Sequence, residues 1–379
     1  MSAPYPSRPA ALLRPYMPEL DSLRGVAILL VLFFHGMAPV KNAQLSHAGN
    51  VILSVSQKGW SGVNLFFVLS GFLITGILAD SRDRQDYYRR FYIRRALRIL
   101  PAFYAILLLL LVGGWIQWRF LLLSILFLAN TAPLLGVPLQ YGPLWSLAVE
   151  EHFYIVWPTL IRRLSSRRLI LIALIIFALT PLCREIAFAL AGDARNFVPL
   201  YTWFNLDGLA LGALLAIWLR DESFRRKYLS RAAVLLLGSG IALFVGVWKY
   251  PSTATALAAT AANLASAGVL SGALLLGAGR SKVLLDRPLL KFFGFISYGL
   301  YLVHLLTFRL VEILFSGWLS AMVHSGWPTT AMLLRFLGGC TAGIVVAYVS
   351  RRSLEEKFLR KGFASRAIGV TPAVRSGPA

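Results

Sequence analysis

Residues 120–135 read FLLLSILFLANTAPLL, and whether they cross a membrane decides the topology of the whole chain. The run is apolar, but its 16 residues fall short of the roughly 20 that a helix needs to span a bilayer. Apolar segments continue on both sides of it. Of 379 residues, 58% are hydrophobic and only 14% charged, with a mean hydropathy of +0.68. A soluble domain carries about 25% charged residues, so the composition is that of a polytopic membrane protein. The net charge of +22 would point to nucleic acid in a soluble chain. Here the basic residues cluster between apolar runs instead, as the positive-inside rule expects.

Outward from residues 120–135, spans are expected near 17–40, 59–79 and 99–116 before the run. Seven more follow it, near 143–161, 169–190, 199–219, 232–249, 254–279, 292–314 and 331–350. If 120–135 is a re-entrant or surface segment, the fold is an all-α bundle of about ten spanning helices with both termini cytoplasmic. Of the 38 Lys and Arg residues, 30 then lie on the inner side, including seven arginines between Arg82 and Arg98. Five lie outside (Lys41, Lys58, Arg119, Arg195 and Lys249), and three (Arg184, Arg309 and Arg335) lie within spans. Were 120–135 to cross, every later basic loop would move to the outer side, against the rule. The expected domains are a cytoplasmic leader at 1–16, a transmembrane domain at 17–350 and a basic cytoplasmic tail at 351–379. The first apolar segment is too long for a cleaved signal and lacks a small-residue cleavage site. Cys183 and Cys340 both lie in apolar runs, so neither a disulfide framework nor a metal site is expected.

Within the first span, LDSLRGVAILLVLFFHG runs from Leu20 to Gly36. Eleven steps of 100° bring Arg24 and His35 to one helix face, roughly 16 Å apart along the axis. An ionisable group at membrane depth is costly unless it faces a cavity or a partner. Arg95 and Arg98 lie one turn apart on the segment leading into the third span, and two guanidiniums on one face suit phosphate groups. Pro101 would fit an early helical position, which predicts a break in the chain near it. The stretch Tyr141–Pro158, YGPLWSLAVEEHFYIVWP, places Glu150 and Glu151 inside an apolar segment, with Ser146, Glu150 and Tyr154 along one stripe. Two buried carboxylates require protonation, hydration or a partner. Glu150 and His35 both fall in the outer halves of their spans, so a carboxylate–imidazole contact is possible. That contact would fix the tautomer of the ring and raise its basicity.

Asp207 is a third intramembrane carboxylate; Gly208, Gly212 and Ala216 share its face and permit close helix packing, which favours a structural role. His304, mid-span in SYGLYLVHLL, could line a cavity or simply pack. Arg184–Glu185 and Arg309 with Glu312 read as ion pairs within the bundle. His47, His152 and His324 have no further support. Walker, GxSxG and HExxH motifs are absent from the sequence, as are metal-ligand clusters and a dinucleotide fingerprint. The residues alone therefore fit either a membrane enzyme or a secondary transporter. A transporter often shows inverted repeats with broken helices in corresponding positions, and no such pairing is visible.

Taken together, Arg24-x10-His35, LFFVLSGFLIT with Ser70, FYIRRALRILP with Arg95 and Arg98, LWSLAVEEHFYIVWP and SYGLYLVHL, in this order, resemble the acyltransferase-3 family of membrane acyltransferases. The resemblance runs from about Pro18 to Phe358. It implies transfer of an acyl group, usually acetyl, from cytoplasmic acyl-CoA to a hydroxyl of a cell-envelope saccharide, in a multi-pass protein of the bacterial cytoplasmic membrane. On this resemblance acyl-CoA is a donor substrate rather than a bound cofactor. Arg24, Arg95, Arg98 and Ser70 are its expected binding residues, His35 the base and Glu150 its orienting partner, with direct transfer or a transient acyl-His both open. Trp145, Ser146, Glu151, Tyr154 and His304 are the expected substrate-binding residues, and no metal is implied. The alternative acceptor is a small molecule such as an antibiotic. Members commonly carry Arg two residues before the Asp of the sixth-span motif, where this chain has Asn205. Some members bear a C-terminal hydrolase-like domain, which this chain is expected to lack.

Overall fold

The computed structural model describes residues 13–14, 17–40, 43–249, 254–278 and 286–356, which form helices and connecting turns, with no strand among them. The first helix, α1 (Pro18–Gly36), starts with Pro at an N-terminal position and carries Glu19 and Asp21 in its first turn, where proline loses no bond and acids meet the positive end of the helix dipole. Next come α2 (His47–Ser56), whose N-cap Ser46 accepts from Gly49 N–H at 3.2 Å, α3 (Ser61–Asp80) and α4 (Tyr87–Val112). The first half closes with α5 (Trp118–Ile125), α6 (Leu144–Arg163) and α7 (Ser166–Leu190). The second half contains α8 (Leu206–Trp218), α9 (Glu222–Lys249), α10 (Ala254–Ala278), α11 (Pro288–Leu314), α12 (Ser316–His324) and α13 (Pro328–Ser350).

Among the described residues, seven helical stretches are long and apolar enough to cross a bilayer: the joined α2–α3 run, α4, α7, α9, α10, α11 and α13. The other three expected spans are α1 and α6, which carry several charges, and α8, which has only 13 residues. Residues 120–135 form no crossing helix. The eight residues of α5 give way to a 3₁₀ stretch, Ala129–Leu135, which Gly136 ends in the left-handed region at φ +69°. Apart from residues 13–14 and 351–356, the expected leader and tail lie outside the described residues.

One expectation is corrected at Pro101: α4 runs through it without a break. Proline inside a membrane helix is tolerated where neighbouring groups serve the carbonyl that loses its partner. Pro158 in α6 shows such service. It lacks the N–H that would bond Tyr154 O, and the Tyr92 hydroxyl of α4 donates to Tyr154 O at 3.3 Å and Ile155 O at 3.2 Å.

Packing is set by glycines at two reciprocal crossings. Between α1 and α11, a Cβ on Gly25 would lie 2.1 Å from Leu290 O, and one on Gly294 would lie 1.9 Å from Asp21 O. Between α3 and α8, a Cβ on Gly71 would meet Leu209 O at 2.0 Å, and one on Gly212 would meet Val68 O at 2.1 Å. Backbone therefore touches backbone, as small residues allow between membrane helices, and the expected packing role of the Asp207 face is met. Asp207 itself is fully buried and paired with Arg184 at 2.6 Å, with Thr260 Oγ1 donating to the same oxygen at 2.9 Å. The expected Arg184–Glu185 pair is thus replaced: adjacent residues point about 100° apart on a helix, and Arg184 faces α8. Asn205, where the resemblance leads one to expect Arg, donates through Nδ2 to Pro199 O and Tyr201 O at 2.8 and 2.9 Å. Glu312 does pair with Arg309, at 3.5 Å, and also approaches Arg335 at 3.8 Å.

Candidate active site

Among the described residues, two adjoining cavities bear on the expected site. The first, about 320 Å³, gathers Arg24 of α1, Arg95 and Arg98 of α4, Ser70 of α3 and Ser146, Glu150 and Tyr154 of α6. The arginines expected to act together thus line one cavity. Arg95 is the most engaged. Its Nε donates to Glu151 Oε1 at 3.1 Å, its Nη2 stands 3.9 Å from Glu150 Oε2, and its Cζ lies 3.2 Å from the Tyr154 ring centroid. Glu150 also accepts from Ser70 Oγ at 2.7 Å. The adjacent carboxylates therefore share one guanidinium, which offsets the cost of burying them together.

The second cavity, about 860 Å³, is lined by His35, Trp60, Asn64, Trp145, Glu185 and Asn205, among others. Val63, Phe67 and Tyr301 line both cavities and form the partition between them. The Tyr301 hydroxyl is 2.5 Å from Ser146 Oγ, a side chain of the first cavity.

His35 has a partner, but not the expected one. Glu150 makes its contacts with Ser70 and Arg95, whereas His35 Nδ1 lies 3.2 Å from His304 Nε2. Glu150 lies in the first cavity with Arg24, Ser70 and Arg95, and α11 is the helix that packs against α1 at His35. The bonds assign the tautomers. His304 Nδ1 is 2.7 Å from Tyr301 O, and a carbonyl can only accept, so that nitrogen carries the proton and Nε2 is an acceptor. His35 Nδ1 must then donate to it, and Val31 O, 3.2 Å away, is an acceptor on the same nitrogen. The proton-accepting atom of His35 is consequently Nε2, on a ring that lines the second cavity.

The expected substrate-binding residues divide. Ser146 and Tyr154 line the first cavity and Trp145 the second, while Glu151 lines neither and holds Arg95. His304 is wholly buried behind His35 and lines neither of these two cavities. Tyr301 and Glu185 are the functional candidates that sequence reasoning missed. The signal for Tyr301 was its place one turn before His304; Glu185 carried none, being masked by the charge of its neighbour Arg184. At the end of α1, Arg335 Nη1 donates to Gly36 O at 3.1 Å and Ala38 O at 3.0 Å, closing the helix terminus beside His35.

Comparison with known proteins finds relatives among O-acetyltransferases. The chain is 29% identical to a peptidoglycan O-acetyltransferase of Listeria monocytogenes, over 38% of this chain and 24% of that protein. It is 34% identical to a Bacillus subtilis protein provisionally named as a peptidoglycan O-acetyltransferase, over 38% of this chain and 23% of that one. A Staphylococcus aureus protein provisionally named as an O-acetyltransferase is 31% identical over 38% of this chain and 25% of its own length. The matches thus span about a quarter of the length of these curated relatives. No solved structure matches. The model of the acyltransferase domain matches residues 17–352, nearly the whole of the helical bundle. With that extent of match, and with Arg24, His35 and the Arg95–Arg98 pair at two adjoining cavities, the chain belongs to the acyltransferase-3 family of acyltransferases.

Proposed function

We propose that the protein transfers an acetyl group from cytoplasmic acyl-CoA to a hydroxyl of a cell-envelope saccharide, across the bacterial cytoplasmic membrane. The observation that carries this reading is the pair of cavities meeting at Val63, Phe67 and Tyr301, with arginines in one and His35 in the other. The relatives named for O-acetylation of peptidoglycan support a saccharide acceptor in the envelope. Arg24, Arg95 and Arg98 hold the CoA phosphates at the inner surface, where guanidiniums give charge-assisted bonds. The pantetheine arm lies along the first cavity, so that the thioester reaches the partition.

His35 Nε2 takes the proton of the acceptor hydroxyl as its oxygen attacks the thioester carbon. The C–S bond then breaks, the ester remains on the acceptor, and the sulfur leaves with the proton returned from His35. His304 keeps His35 in the tautomer this step needs and accepts from it while it is charged. The Tyr301 and Ser146 hydroxyls lie where the two substrates meet.

The test uses oriented vesicles. Acetyl-CoA supplied only on the Arg95 side should acylate a saccharide confined to the other side, and His35→Ala should lower the rate by about 10²–10⁴-fold while the protein still inserts. Near-normal transfer by well-inserted His35→Ala would sink the mechanism. Transfer only when both substrates share the donor compartment would favour acylation of a small molecule instead.

A further inference from the structure

The second cavity contains a carboxylate for which the transfer reaction has no use. Glu185 stands on its wall, and Oε2 is shielded from solvent with no hydrogen-bond partner among the described residues. Its neighbour Arg184 is turned away and committed to Asp207. A buried acceptor left unsatisfied is costly, and a ligand that brings a donor recovers that free energy.

Two amides on this wall have their nitrogens engaged by the protein. Asn205 Nδ2 faces the carbonyls of Pro199 and Tyr201. Asn64 Nδ2 faces Asn263 Oδ1 at 2.8 Å and Ala259 O at 3.3 Å. Both amide nitrogens are therefore used inside the protein, and the atom each has left to offer is Oδ1, an acceptor. Together with Glu185, these two amides give their part of the cavity hydrogen-bond acceptors, beside the indoles Trp60 and Trp145, while Asn196 adds an amide of both kinds. Acceptors call for donors, and flat aromatic faces suit the C–H faces of sugar rings. A polyol supplies both. A carboxylated or phosphorylated sugar supplies fewer donors and brings a negative charge toward Glu185.

We infer that the second cavity seats a neutral, hydroxyl-rich saccharide unit, anchored by hydroxyl donors on Glu185 and on the Oδ1 atoms of Asn64 and Asn205, against Trp60 and Trp145. This rests on the acyl-transfer reading and adds the acceptor's chemistry to it. Glu185 binds the acceptor and takes no part in the proton transfer of His35.

The experiment compares cellotetraose with tetragalacturonate, a neutral and an anionic tetrasaccharide, as acceptors of acetyl from acetyl-CoA. Binding of each is measured separately by quenching of tryptophan fluorescence in the absence of donor. The wild type should bind and acylate the neutral sugar in preference. Glu185→Ala should raise the KM and Kd for cellotetraose about tenfold or more and leave the KM for acetyl-CoA unchanged. Glu185→Gln keeps an acceptor oxygen but removes the charge, so it should retain most cellotetraose binding and relax the discrimination against tetragalacturonate. A wild type that prefers tetragalacturonate, or Glu185 variants with unchanged acceptor KM and unchanged discrimination, would overturn the inference while leaving acyl transfer standing. Absence of transfer from acetyl-CoA to any saccharide by the wild type would overturn the acyl-transfer reading and this inference with it.

Discussion

Replacing His304 with phenylalanine removes the acceptor behind His35 and keeps an aromatic ring of similar size between Tyr301 and Phe308. Before reaction the lost bond joins two neutral rings and contributes about 0.5–1.5 kcal/mol. Once His35 has taken the hydroxyl proton, its Nδ1–H belongs to an imidazolium, and the same bond contributes about 1.5–3 kcal/mol. The difference, about 1–1.5 kcal/mol, raises the barrier and lowers kcat roughly five- to thirteen-fold. The loss stays below that of His35→Ala because Val31 O still accepts from Nδ1 and preserves the tautomer. Initial rates with acetyl-CoA and a saccharide acceptor give kcat, and calorimetry with CoA gives donor affinity. A positioning role lowers kcat with donor Kd unchanged, and His304→Gln, which restores an acceptor oxygen, should recover part of the rate. An unchanged kcat in His304→Phe, or a loss confined to the KM for acetyl-CoA, would refute the reasoning.

Three further outcomes are expected. Arg95→Ala and Arg98→Ala should each weaken acyl-CoA binding about tenfold or more, and Lys at either site should restore only part of it because a point charge lacks the bidentate fork; unchanged affinity in calorimetry for both alanine variants would make these charges purely topological. Arg184→Met leaves Asp207 buried and unpaired and should destabilise the protein by about 3–5 kcal/mol, whereas adding Asp207→Leu should return most of it, as read from thermal unfolding in detergent. Gly71→Ala puts a Cβ at 2.0 Å from Leu209 O and should destabilise by about 1–3 kcal/mol or more, while Gly238→Ala, with open space around it, should be close to neutral.

Helix existence was legible in the sequence because apolar length and basic flanks are local properties. The short run at 120–135 could be set aside on charge alone, and the structure agrees in giving it no crossing helix. Pro101 misled because one missing hydrogen bond does not by itself end a helix, and α4 runs through it. The arginine cluster was legible for the same reason as the helices: Arg95 and Arg98 share a face by spacing. The partner of His35 was not. Depth in the membrane is a property of one helix, whereas contact depends on which helices are adjacent, and Gly25 and Gly294 bring α11 rather than α6 against α1. Glu185 escaped because its neighbour Arg184 looked like its partner, and only the rotation of α7 separates the two.

The grip on α1 has a consequence for how the protein can move. Gly25 and Gly294 lock it to α11, a Cβ on Gly59 or Gly62 would meet Leu30 O or Ala27 O at 2.3 and 2.5 Å on the α3 side, and Arg335 of α13 ties down its far end. A slide of one residue along either neighbour is about 1.5 Å, half the 3.2 Å that joins His35 to His304. Rocking one half of the bundle against the other, as a carrier does to expose a site alternately to each side, would dismantle the histidine pair on every cycle. With α1 held on three sides, the proposed acyl transfer calls for movement of substrates and of the partition's side chains, with the backbone at His35 held in place.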